Sequence, residues 1–362
     1  MRDEQLDAAI DEVAHELTRG REPGDLKVRV LAQIESPAVR LQSWRWGVAV
    51  PVAAIAIVGA AVAIFRGGGR QQTQPTPQGQ PTAPRAQPGA ARSLAWVDRQ
   101  GREEPVGPSR AYMSVRLSPD GTRAAVDIRV QTANNELGIQ EHDDVWIWDL
   151  GRRTISRLTF NVASSRRPIW TPDGQRIVFT SPRGGAPNLF WQAAGPGAPE
   201  RLTTNPNSQV PQSFSPDGQT LVFQEQTAET GADLYLLRLD SQLRTEPLVQ
   251  TRFADADGEV SPDGRWLAYR SNESGRNEIY ARPFPSGVGR WRVSPDGGTV
   301  TRWSRNGREL FYVDRGKVMA VSVTTGPASF MASRPTELFE GPYADNFDVA
   351  PDGQRFLMIK DR

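Results

Sequence analysis

The chain has 362 residues, with 43 Lys and Arg against 42 Asp and Glu for a net charge of +1, and it contains no cysteine. Balanced charge supplies no general field for nucleic acid. The lack of thiols excludes disulfides, thiolate metal sites and cysteine nucleophiles. Its 33 glycines and 29 prolines mark a chain that turns often.

Residues 1–45 form a short charged segment. Leu6, Ile10, Val13, Ala14 and Leu17 recur at helical spacing, and a second short helix is predicted over 26–34, after the breaker EPGD. So small a segment buries little core by itself, which suits a partner-docking helix pair or a loosely ordered tail. Next comes GVAVPVAAIAIVGAAVAIF, residues 47–65, without a charged or strongly polar side chain. At ~1.5 Å per residue it spans roughly 28 Å, about the thickness of the hydrocarbon layer. Trp44, Arg45 and Trp46 flank one end and Arg66 the other, as interfacial anchors do. A single transmembrane helix is therefore predicted over 46–66. Lys27, Arg29, Arg40 and Arg45 before it, against Arg66, Arg70 and Arg85 after it, lean towards a cytoplasmic N-terminus. Residues 67–92 are rich in Pro, Gln and Gly and cannot form a core, so they read as a linker or stalk.

From residue 93 one phrase is rewritten six times: RLSPDGTRAAVD, IWTPDGQRIVFT, SFSPDGQTLVFQ, EVSPDGRWLAYR, RWSRNGRELFYV and DVAPDGQRFLMI. Counted from 118, 171, 215, 261, 304 and 350, the intervals are 53, 44, 46, 43 and 46 residues. That period fits a four-stranded propeller blade. In each unit a strand runs into Pro-Asp-Gly, where Pro sets φ, Asp caps the turn and Gly takes a positive φ. A β-rich strand follows, and two more complete the unit. The sixth phrase is followed by too little chain for its outer strands. SLAWVDRQGREEPV, 93–106, is predicted to supply them, with a tight turn at Arg99-Gln100-Gly101. The fold class is thus all-β, a six-bladed β-propeller over 93–362 closed by its N-terminal strands. VSPDGG at 293–298 lies too near SRNG to start a blade and reads as a connecting loop.

These repeats resemble the TolB-like, or WD40-like (PD40), six-bladed propellers of bacteria. SNESGRNEIYARPFP, NGRELFY and PDGQRFLMIK are similar to the propeller fused behind the membrane span of some bacterial serine/threonine kinases. The resemblance covers 93–362 and implies a propeller outside the cytoplasmic membrane. It departs at blade five, where SRNG replaces SPDG. No Gly-rich nucleotide loop, His-Arg-Asp loop or Asp-Phe-Gly is present, so a phosphotransferase activity does not follow.

Only His15 and His142 carry imidazoles, and no G-x-S-x-G elbow accompanies them. Glu141, His142, Asp143 and Asp144 cluster within NNELGIQEHDD, 134–144. This stretch reads as a solvated inter-strand loop rather than a cation site, because adjacent acids rarely converge on one ion. No cofactor is expected. The strand before each turn says more. One place ahead of each phrase stand Leu117, Trp170, Phe214, Val260, Trp303 and Val349, all apolar and expected between blades. Two places ahead stand Arg116, Ile169, Ser213, Glu259, Arg302 and Asp348, which period-two alternation turns towards the axial channel. Arg116, Ser213, Glu259, Arg302 and Asp348 are the candidate channel-lining or binding residues. The four charged ones are expected to form a ring of alternating sign, as a structural ion-pair plug or a ligand site.

The function that follows is a membrane-anchored extracytoplasmic propeller, a non-catalytic scaffold for a protein or peptide partner in the cell envelope, located at the inner membrane with its propeller in the periplasm. One alternative is a transmembrane sensor, since EPGDLKVRVLAQI is faintly similar to the segment before the membrane span of anti-sigma factors. A hydrolase with its site on the blade loops is the other.

Overall fold

A computed structural model describes residues 91–134, 138–160, 163–326 and 329–361. The helices predicted within 1–45, the transmembrane helix at 46–66 and the linker at 67–92, but for its last two residues, lie outside them. Among the described residues every regular element is a strand, so none of their elements is a helix that could cross a membrane.

Among the described residues the strands form six antiparallel sheets. Blade one comprises β3 (Tyr112–Leu117), β4 (Arg123–Asn134), β5 (Gly138–Asp149) and β6 (Thr154–Arg157). Blade two comprises β7 (Arg166–Trp170), β8 (Arg176–Ser181), β9 (Asn188–Ala193) and β10 (Glu200–Arg201). Blade three runs through β11 (Gln209–Phe214), β12 (Thr220–Glu225), β13 (Asp233–Arg238) and β14 (Thr245–Val249). Blade four is β15 (Asp255–Val260), β16 (Trp266–Ser271), β17 (Glu278–Pro283) and β18 (Trp291–Arg292). Blade five holds β19 (Thr299–Trp303), β20 (Glu309–Asp314), the long β21 (Lys317–Thr325), β22 (Phe330–Ala332) and β23 (Thr336–Glu340). It departs from four strands because β21 outruns the blade, pairing with β23 along its first half and with β22 at its end. Residues 293–298 form the connection into β19, as expected.

Closure is explicit in blade six. β24 (Tyr343–Val349) and β25 (Arg355–Lys360) take β1 (Ser93–Asp98) and β2 (Glu103–Pro105) as third and fourth strands. Register runs from Ser93 opposite Lys360 to Asp98 opposite Arg355. Asp98 caps the β1–β2 turn by accepting from the Gln100 and Arg102 amides.

Alternation along each strand sends successive side chains to opposite blade faces, so the core divides into six apolar clusters, one per blade junction. Along β25, Phe356 and Met358 pack with Phe311 and Phe339 of blade five, while Leu357 and Ile359 pack with Val115 and Val126 of blade one.

The repeated phrase makes a ring as well as a turn. In blade one the Ser118 hydroxyl donates to Asp120 at 2.5 Å, Asp120 accepts from the Thr122 amide, and the Gly121 amide closes on the Ser118 carbonyl. Gly121 has φ +71°, and a Cβ there would stand 2.5 Å from Pro351 of the neighbouring blade. The Pro of one turn likewise faces the Gly of the next at Pro119–Gly174, Pro172–Gly218, Pro216–Gly264 and Pro262–Gly307. Blade five breaks the pattern. Asn306 still supplies the accepting oxygen, taking bonds from the Ser304 hydroxyl and the Arg308 amide. Arg305, in the proline's place, instead reaches the Ser118 carbonyl of blade one at 3.0 Å.

The caps carry charge. Asp120 is held down at about 2, against an ordinary 3.8, first by the Ser118 hydroxyl and then by the Thr122 amide. Asp173 and Asp217 are lowered likewise by Thr171 and Ser215. A depressed carboxyl stabilises the fold above its unfolded value and loses that contribution as pH falls through its folded value. An Asp120→Asn variant keeps the acceptor without the charge. Its stability deficit against the parent is expected to be greatest above pH 3.8 and to shrink as pH falls towards about 2. Thermal melts of both proteins across that range measure it, and a deficit constant with pH would refute the charged cap.

Candidate functional site

The innermost strands β3, β7, β11, β15, β19 and β24 surround the axis, and four of their charged side chains meet there. Arg116 Nη2 lies 3.2 Å from Glu259 Oε2, and Arg116 Nε lies 3.8 Å from Asp348. Arg302 Nη1 lies 3.5 Å from Glu259, and its Nε 4.0 Å from Asp348. The four side chains are 9–16% exposed. Each cation thus touches both anions. Three of these contacts join neighbouring blades with opposite sign, as expected. The fourth, Arg116–Glu259, spans the axis, because blades one and four face each other, and it closes the cluster into a plug.

Backbone groups hold the plug in place. Asp348 accepts from the Leu117 amide at 2.7 Å and from its neighbour Val349. Arg302 donates through Nε to the Phe347 carbonyl and through Nη1 to the Thr301 carbonyl. Burial works against the charge on Arg116, but Glu259 and Asp348 outweigh it and hold that guanidinium above its ordinary value. Arg302 is pushed down to about 10 by burial and then by the nearby Arg116 charge, against the pull of Glu259 and Asp348.

Of the remaining axial positions, Ser213 stitches blades, donating to the Gly258 carbonyl at 2.9 Å and accepting from the Val260 amide. Ile169 turns into the apolar cluster between blades two and three, with Val178 and Phe223. The apolar set one place on is largely buried, and two of its members do more than pack. Trp170 donates its indole N–H to the Arg116 carbonyl, and Trp303 donates to the Glu259 carbonyl. The indoles therefore lock the very residues whose side chains form the plug.

Two cavities adjoin the plug. On the side of the Pro-Asp-Gly turns, a mouth of about 340 Å³ is lined by Trp170, Phe214, Trp303, Arg305 and the turn prolines, with Glu259 and Asp348 among its polar groups. On the other side a cavity of about 220 Å³ borders Arg116, Arg167, Gln212, Asp257, Arg270 and Arg302. Sequence reasoning missed Arg167, Asp257 and Arg305. The substitution of Arg for Pro in SRNG was a visible signal for Arg305, whereas bulges that displace Arg167 and Asp257 leave no letter pattern.

The acidic stretch is corrected. Residues 138–144 lie in β5, paired with β4 in a long hairpin, and are not a solvated loop. Alternation separates its acids. Asp143 pairs with Arg129 at 3.0 Å and with Arg166, whereas Asp144 takes Arg157, Thr159 and His142 Nε2. The buried carboxylates serve intrachain ion pairs.

Similarity to known proteins follows the same residues. The family described as TolB beta propeller domain (PD40) matches residues 110–231. The Tol-Pal system protein TolB of Francisella tularensis subsp. tularensis (strain WY96-3418) is 29% identical over 164 residues, which cover 44% of this chain and 35% of that protein. The match therefore spans about a third of the curated relative's length. Among solved structures, one described as TolB from Agrobacterium tumefaciens superposes with a TM-score of 0.59 at 17% identity, covering 76% of this chain and 99% of the other. TolB from Acinetobacter baumannii gives 0.50 at 15% identity, covering 75% and 64%. At such identities the likeness concerns the fold, and it agrees with the six sheets and their closure. The described residues form a six-bladed β-propeller whose residues 110–231, blades one and two and the first half of blade three, match the PD40 family of TolB propeller domains.

Proposed function

We propose that this protein is a non-catalytic scaffold of the cell envelope, held at the inner membrane by residues 46–66 and displaying its propeller outside the cytoplasm on the 67–92 stalk. One observation carries the reading: the turn-side mouth is a dent that sets aromatic and proline side chains around a charged floor. Trp170 and Trp303 are held by their indole hydrogen bonds, the turn prolines lie beside the glycines of the neighbouring turns, and half-buried Phe214 remains available beside them. Aromatic anchors in a preformed hollow are what a protein partner uses for affinity. The floor carboxylates are committed to Arg116 and Arg302, which suits recognition better than proton transfer. Similarity to a protein named for the Tol-Pal system supports an envelope partner.

A photo-crosslinker at position 214, in cells expressing the full chain, tests this. A discrete adduct is expected from the mouth and not from exposed Met331 on blade five. Identical adduct patterns from both positions would refute the mouth as the docking site.

A further inference from the structure

The cavity on the opposite side of the plug carries a feature that packing does not require. Each of the six innermost strands slips register once, and three of the slips lie at Arg166/Ile169 in β7, Ala256/Glu259 in β15 and Thr299/Thr301 in β19. Within them Arg167 and Asp257 take φ +54° and Val300 φ +34°. Left-handed backbone at non-glycine residues is strained and persists where the surroundings enforce it, often at binding sites. Arg167 is enforced from below. Its amide donates at 3.1 Å to Asp127, a buried carboxylate whose other oxygen takes the Ser114 hydroxyl.

Three of the four arginines around this cavity have carboxylates within ion-pair reach. Arg270 pairs with Asp257 at 2.6 Å, and Arg116 and Arg302 share Glu259 and Asp348. The fourth, Arg167, makes no ion pair within 4 Å and donates no side-chain hydrogen bond among the described residues, although the buried Asp127 feels its charge through space, and it borders the same cavity. Burial and Arg116 depress Arg302, which marks positive charge crowded at the axis. The Gln212 amide makes only a 3.5 Å contact to Gln224, leaving a further donor towards the cavity.

We propose that this axial cavity is a carboxylate-binding site, in which the exposed Arg167 guanidinium takes the anion, supported by Gln212 and the plug face of Arg302. A guanidinium whose donors are not engaged can take one carboxylate. A planar guanidinium fork meets a carboxylate through two parallel hydrogen bonds. A volume of about 220 Å³ is room for roughly seven waters at ~30 Å³ each, enough for a carboxylate and a short chain but too little for a folded element. The carboxylate belongs either to a free small acid or to an acidic side chain of a polypeptide entering the channel.

Calorimetric titration of the intact protein separates these sources. The probes are butyrate, a short peptide with one central glutamate, the same peptide with glutamine, and chloride at matched ionic strength. Binding of butyrate identifies a free acid, and binding of the glutamate peptide alone identifies a polypeptide. Either outcome supports the site, provided that glutamine peptide and chloride do not compete. Arg167→Gln should weaken binding by about tenfold or more while leaving the melting temperature unchanged, because this side chain is exposed. Arg167→Lys, with charge but no fork, should fall between. No binding of either acid, or equal binding by Arg167→Gln, overturns the proposal.

Discussion

Excising residues 93–106 from the full chain is expected to abolish the cooperative unfolding transition of the propeller. β1 pairs along its whole length with β25, and it sends Leu94 to the junction with blade one and Ala95 and Val97 to the junction with blade five. Leu94 and Val97 are fully buried, and each contributes about 1.5–3 kcal/mol by burial. Without them Phe356, Leu357, Met358 and Ile359 lose cover, and β25 becomes an open edge. Added together, these losses rival the ~5–15 kcal/mol that separates folded from unfolded domains. A milder probe is Leu94→Ala, expected to cost about 2–5 kcal/mol through the cavity left between blades six and one. Circular dichroism melts decide both. If the excised protein unfolds at the parent's midpoint, the two ends of the chain do not close the disc.

Removing one plug anion should be nearly as damaging. Glu259→Ala leaves Arg116 and Arg302 with only Asp348 to share. Taking away one member of a buried charge pair costs about 3–5 kcal/mol, because the partner stays desolvated and uncompensated. For a domain of this size that is a melting point lower by roughly 6–15 °C. The double variant Glu259→Ala/Arg302→Ala should recover part of the loss, since it deletes a stranded cation together with its acid. A double variant less stable than the sum of the two single ones would show that these charges stabilise through something other than one another. Loss of a bound partner in Arg302→Ala at unchanged melting temperature would show the plug to be a ligand site instead of a structural one.

The repeat was legible because its chemistry is local. Pro, Asp and Gly specify a turn wherever they occur together, and alternation of apolar letters specifies which strand face is buried, so blade number, the seam at 93–106 and the inward aim of Arg116, Glu259, Arg302 and Asp348 could be read without coordinates. Even the SRNG variant kept its turn, because asparagine retains the acceptor oxygen that aspartate uses. What lay beyond reach was distance across the axis. Blade order is a sequence property, but closing the disc brings blade one against blade four, and only that closure adds the Arg116–Glu259 pair across the axis. The register slips that aim Arg167 and Asp257 into the lower cavity belong to the same class. They answer to the crowding of six strands around one axis, a constraint that no single strand carries in its own residues.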